Sequence, residues 1–231
     1  MRPFPLMLFA AGFGTRMGAL TARRPKSLIP VAGKALLDHA LAVADAAGVT
    51  QSVINLHYLG DQIAAHVASR TIALSWERAQ ILETGGGLRA ALPLMGHGPV
   101  MALNTDAVWT GANPLTQLMD AWDGDKMDAL LLLLPPDQAQ GHKGRGDFIL
   151  AADGRISRAN GAVGPVYLGA LIIKPSALLA IPEPVFSLNR PWDDLIATGR
   201  AYGILHKGGW CDVGSPEGIQ TAEALLATAD V

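Results

Sequence analysis

A single cysteine, Cys211, stands among 231 residues, so no internal disulfide can form and the fold must rest on core packing. Apolar runs are short. The longest is ALLLLLPP at 129–136, far below the roughly 18 to 20 residues a membrane helix needs. The N-terminal MRPFPLMLFAAG is too short in its apolar stretch for a secretory leader, so a cytoplasmic location away from any membrane is expected. Positive excess is missing as well: 18 Lys and Arg against 20 Asp and Glu leave a net charge of −2. That balance excludes general nucleic-acid binding and points to a small charged ligand met by local clusters. Repeats, low-complexity segments and linkers are absent, and with half the residues hydrophobic one domain over 1–231 is expected.

What is present is alternation. PLMLFAA at 5–11 reads as a buried strand running into Gly12, LLDHALAVADAAG at 36–48 as a helix stopped by Gly48, and QSVINL at 51–56 as the next strand. The pattern continues with a helix at 59–68, a strand at 72–76, a helix from about 86 to 95, a strand at 99–104, a helix at 114–122 and a strand at 129–134. The last is apolar throughout and must be covered on both faces. Beyond residue 140 glycines punctuate shorter strands, with Asp153–Gly154 as a hairpin signal. This region reads as an antiparallel excursion over the open end of the sheet. Helices at 191–199 and 216–228 flank a strand at 202–206. The expected fold is α/β: one three-layer αβα domain with a Rossmann-like, mixed but mostly parallel sheet.

The informative loop is FAAGFGTRMGALTARRPKSLIP at 9–30, rich in glycine and basic residues and without an acid. A glycine turn after a first strand lets backbone N–H groups converge on phosphate. The dinucleotide pattern G-x-G-x-x-G fails because Met17 stands where its third glycine belongs, and no Walker Lys-hydroxyl pair follows. What remains is A-A-G-x-G-T-R followed by Pro25-Lys26. Arg16 and Lys26 can present a guanidinium fork and a point charge to one polyphosphate. The glycines alone favour a plain βα turn with solvated basic residues, since short glycine patterns recur by chance.

The run AAGFGTRM…RPKSLIPVAGKALLDHAL resembles the signature of nucleotidyltransferases that join a sugar 1-phosphate to a nucleoside triphosphate. The resemblance extends along nearly the whole chain. It implies the nucleotide-diphospho-sugar transferase fold, with Ala11, Gly12, Gly14, Thr15, Arg16 and Lys26 around the triphosphate. Arg16, Lys26 and Asp106 would be catalytic. Ala19 departs from the family, which usually has proline there. Asp106, in ALNTDAVW with Asn104 beside the nucleotide, resembles the metal-binding aspartate of the family, and Asp212 in GWCDVGSPE resembles its second. Phosphoryl transfer between anions calls for a hard divalent cation, and Mg2+ is the expected cofactor.

ILETGGGLRAAL and GHKGRGDF resemble segments of the subgroup that activates N-acetylmuramate 1-phosphate with UTP, in the recycling of cell-wall sugars. Thr84 reads as a cap of the helix that follows. Glu83 and Gly86 would lie near nucleobase and sugar, with three glycines allowing a ring to approach the backbone. Arg145, with Lys143, would meet the lactyl carboxylate of that substrate. Asp147, Tyr167, Gly169 and Trp192 complete the implied sugar site. The expected partners are a nucleoside triphosphate and a sugar 1-phosphate. A hexose or heptose 1-phosphate with GTP or dTTP, phosphocholine with CTP, and a non-catalytic sugar-nucleotide binder remain alternatives.

Overall fold

A computed structural model of the protein describes residues 4–229. In chain order the elements are β1 (Leu6–Phe9), β2 (Pro30–Val31), β3 (Lys34–Ala35), α1 (Leu36–Ala46), β4 (Ser52–Leu56), α2 (Gly60–His66), β5 (Ala73–Trp76), α3 (Glu83–Ala91), β6 (Val100–Asn104), β7 (Ala107–Gly111) and α4 (Pro114–Ala121). There follow β8 (Ala129–Leu134), β9 (Ala139–Gln140), β10 (Phe148–Leu150), β11 (Ile156–Arg158), β12 (Val166–Ile173), α5 (Pro175–Leu179), α6 (Asn189–Ala197), β13 (Ala201–Leu205), β14 (Gly208–Asp212) and α7 (Pro216–Ala229).

The main sheet has seven strands in the order β13-β8-β12-β6-β1-β4-β5. All run in one direction except β12, which pairs antiparallel with both β6 and β8. Alternation along the strands sorts two cores. Leu6, Leu8, Met101, Leu103, Leu130 and Leu132 face α1, α2 and α4, whereas Met7, Ala102, Leu131, Leu133 and Leu171 face α3, α5 and α6. The result is a three-layer αβα architecture. Six consecutive buried residues in β8 are explained by this double covering.

Several expectations are corrected. Residues 166–173 are no excursion over the sheet end: β12 is inserted into the middle of the sheet, where all but Tyr167 of its side chains are buried. Helix α3 begins at Glu83 rather than near residue 86, carrying three buried glycines in its first half. Thr84 is therefore inside the first turn, not its cap, and its Oγ1 accepts the Leu188 amide at 3.0 Å. Tertiary packing overrides poor helix propensity there. Strands β7 and β14, unforeseen in the sequence, form a second sheet with β9 that α7 covers. Asp153–Gly154 does lie in the turn of a hairpin, between β10 and β11. Helix α4 is capped by Asn113, whose side chain accepts the amides of Leu115 and Thr116 at 2.9 and 3.1 Å.

His206, only 6% exposed, sits where α4 meets the second sheet. Its Nδ1 accepts a hydrogen bond from Gln117 at 2.8 Å, and its Nε2 is buried with no partner. Burial lowers its pKa below the ordinary 6.5. The neutral ring thus supports the fold at neutral pH, and that support is lost as pH falls below the unfolded value, where only the unfolded chain readily takes the proton. His206→Gln should narrow the gap between urea midpoints measured at pH 7 and pH 5.

Candidate active site

Strands β1 and β6 lie side by side with Phe9 opposite Asn104, and from this pair the sheet order proceeds outward on both sides. Such a switch point leaves a crevice at the carboxyl ends of the strands. The Thr105 hydroxyl donates to the Phe9 carbonyl at 2.6 Å, tying the two ends together. Ala10 then donates its amide to Asn55 Oδ1 at 2.8 Å, Asn55 Nδ2 donates to Glu77 Oε1 at 2.6 Å, and Glu77 Oε2 accepts the Leu82 amide at 2.7 Å. Asn55 and Glu77 are 4% and 3% exposed, and this relay holds the start of the glycine loop and the start of α3 at a fixed distance. Neither residue was singled out in the sequence; a polar residue in the apolar run SVINL was the available signal.

Gly14 adopts φ +64°, and a Cβ there would lie 2.9 Å from Lys26 Cβ. Its two functions are a left-handed turn and room for Lys26 to cross the loop. Lys26 Nζ reaches Asp106 Oδ2 at 2.7 Å, with side-chain exposures of 13% and 32%. Asp212 arrives by strand pairing: β7 and β14 are antiparallel with Ala107 opposite Asp212, and the Val213 amide donates to the Asp106 carbonyl at 2.8 Å. Burial first, and the Asp106 charge second, push the Asp212 carboxyl above its usual range, while Lys26, Arg16 and His142 oppose the shift. A Cβ on Gly214 would stand 2.6 Å from Asp212 Oδ2 and 2.9 Å from Arg16 Nη1, so the guanidinium and carboxylate flank one bare Cα. Arg16 and Lys26 from one loop, Asp106 from the turn before β7 and Asp212 from the end of β14 are thereby gathered from three separate segments.

Two cavities open here. The first, about 300 Å³, is lined by Ala11, Gly12, Gly14, Thr15, Arg16 and Lys26 on one side and by Glu83, Asn104 and Asp106 on the other. Gly12 leaves open space where a Cβ would stand. Glu83 holds φ +60°, an uncommon conformation for a non-glycine residue, at the cavity wall. Ser27 also lines this cavity; its buried hydroxyl has no protein partner, and the sequence reading passed over it. The second cavity, about 280 Å³, includes Asp147, Tyr167 and Trp192 and meets the first at Thr84 and Asn104.

Other expected positions are placed elsewhere. Gly86 is buried, donates its amide to the Phe186 carbonyl at 2.9 Å and has the Pro184 carbonyl against its Cα, so the glycine run serves close packing of protein and not of a ligand ring. Gly169 lines neither cavity. At φ +80° it abuts Asn104, whose Nδ2 would be 2.6 Å from an added Cβ, and so allows Asn104 to stand between the cavities. Arg145 is exposed and outside both cavities. The cation of the second cavity is Arg158, missed in the sequence because it reads as an ordinary residue in an alternating strand.

Residues 6–163 match the model of the MobA-like NTP transferase domain. The chain belongs to that family and is a nucleotidyltransferase. It is similar at 43% identity, over 96% of its own length and 97% of the other, to N-acetylmuramate alpha-1-phosphate uridylyltransferase of Caulobacter vibrioides. The protein of that name from Neisseria meningitidis serogroup B is 34% identical over 95% and 96% of the two chains. Among solved structures, HddC of Yersinia pseudotuberculosis complexed with GMP-PN shares the fold, with a TM-score of 0.77 at 20% identity over 96% of this chain and 98% of that one.

Gly214→Ala should displace side-chain ends without disturbing the core, since the atoms its Cβ meets belong to Asp212 and Arg16. Turnover is expected to fall about 10- to 100-fold. Thermal unfolding should move by less than about 3 °C, which a melting curve on the same sample would check.

Proposed function

We propose that the protein transfers the uridylyl group of UTP to N-acetyl-α-D-muramate 1-phosphate, releasing diphosphate and forming UDP-N-acetylmuramate, with the whole chain acting as one catalytic domain. The observation that carries this reading is the gathering of Arg16, Lys26, Asp106 and Asp212 beside a cavity that opens into a second one. The near full-length similarity to enzymes of that name supports the choice of substrates. The nucleotide would occupy the first cavity and the acceptor sugar the second.

Asp106 and Asp212 suit a hard divalent cation: the Asp106 charge helps raise the Asp212 carboxyl, as two carboxylates awaiting a shared positive charge would behave. Among the described residues no cluster of three or more His, Cys, Asp or Glu could hold a metal, so phosphate oxygens and water would complete the shell. Mg2+, held there, would neutralise charge on the phosphates. An acceptor phosphate oxygen attacks the α-phosphorus in line, its new P–O bond forming as the bond to diphosphate breaks. Lys26 stabilises the transferred phosphoryl group, and Arg16, at the mouth, the departing diphosphate. Gly12 and Gly14 bring backbone N–H groups close to the phosphates. Glu83 would accept from nucleobase or ribose, and Asp147 from a sugar hydroxyl.

Phosphocholine is disfavoured as acceptor by the second cavity itself. Its aromatic faces on Phe148 and Trp192 already carry the Arg158 guanidinium at 4.9 and 5.8 Å, leaving no cage for another cation.

Diphosphate release measured over UTP, GTP, CTP and dTTP against N-acetylmuramate, N-acetylglucosamine and glucose 1-phosphates should be greatest with UTP and the muramate. Activity with glucose 1-phosphate and none with the muramate would refute the substrate assignment; no turnover with any pair would favour a non-catalytic binder. Lys26→Met should lower kcat by about 10²- to 10³-fold, the loss typical of one charged or oriented donor removed from a developing anion.

A further inference from the structure

The residues that line the second cavity carry more hydrogen-bond donors than the protein uses. Trp192 is 5% exposed, yet its Nε1 has no partner, and the buried Tyr167 hydroxyl beside it has none. Their rings meet edge-on with centroids 4.9 Å apart. Burial drives the Tyr167 phenol far above its ordinary pKa, so it keeps its proton. Arg158 lines the same cavity, oriented by Nε donating to Asp193 Oδ1 at 2.7 Å and Nη2 donating to the Asn189 carbonyl at 3.0 Å. Among the described residues its Nη1 makes no hydrogen bond.

Buried polar groups left without partners are costly, and here they belong to residues that line a space large enough to hold a ligand. An indole N–H and a guanidinium only donate, so the occupant must supply acceptors, and a fixed guanidinium edge favours an anionic one. Asp147 lines the cavity as well; its Oδ2 accepts the Tyr167 amide at 2.8 Å, which leaves Oδ1 for a sugar hydroxyl. We propose that Arg158, Trp192 and Tyr167 form a carboxylate subsite that selects the acid-bearing acceptor, its lactyl ether, over the same sugar without it. The proposal rests on the N-acetylmuramate reading above. The acceptor's phosphate is a poorer occupant, because it must reach the nucleotide beside Lys26 and Asp106, and Arg158 does not line that first cavity.

The test compares kcat/KM for N-acetylmuramate 1-phosphate and N-acetylglucosamine 1-phosphate at saturating UTP in the wild type, Arg158→Met, Arg158→Lys, Trp192→Phe and Tyr167→Phe. Thermal melting and calorimetric UTP binding report on folding and the first cavity. Arg158→Met should lower the muramate value by about 30-fold or more, at least tenfold beyond its effect on the glucosamine, as loss of a charged hydrogen bond implies. Lysine should restore part of the selectivity, and each aromatic variant should lose about threefold to tenfold of it. Equal losses on both acceptors, as a phosphate contact or a packing defect would give, overturn the subsite alone. So do variants as selective as the wild type. A wild type that does not use the muramate removes the function and the subsite together.

Discussion

The antiparallel pairing of β7 with β14 is the contact on which the proposed chemistry depends. Asp106 precedes β7 and Asp212 ends β14, and the ladder that sets Ala107 opposite Asp212 brings the two residues near enough for the Asp106 charge to raise the Asp212 carboxyl. Lys26 and Arg16 are then arranged around them by glycines with no room for a side chain: Gly14 under Lys26, Gly214 between Arg16 and Asp212. Charges of both signs held so closely in a partly buried place would be unfavourable if any member were absent. The second sheet carries Asp212, and Met17 and Ile29 of the loop that carries Arg16 and Lys26 are buried in one cluster with its Val108 and Cys211.

Much of the architecture was legible because it is periodic. β1, α1, β4, α2 and β5 follow one another with the spacing of parallel strands and covering helices, and the glycine loop falls where the switch point requires. The direction of β12 was not legible: VYLGALII reads as a buried strand whichever way it runs, and only its pairing with Leu103 and Leu131 sets its place. β7 and β14 escaped notice because they are short, mixed in polarity and distant in sequence. The glycines of α3 misled for a physical reason. A glycine admits any close neighbour, and here the neighbours are Phe186, Pro184 and Glu77. Likewise the basic cluster around Arg145 is conspicuous in sequence but exposed, while Arg158 is inconspicuous and faces the cavity.

The two cavities differ in how their polar groups are disposed. In the first, backbone and cationic groups converge on a narrow mouth suited to phosphates; in the second, aromatic edges and one guanidinium surround a smaller volume suited to a ring with substituents. Asn104 stands at the junction, and Gly169, by having no side chain, lets it stay there. The two cavities thus share Asn104 and Thr84 as common wall.

The relay from Ala10 through Asn55 and Glu77 to Leu82 involves only the first half of the chain, whereas the second carboxylate comes from β14. The residues that shape the glycine loop and the residue that completes the carboxylate pair thus come from opposite halves of the chain, and the last strand in sequence is the one that brings Asp212 to Asp106.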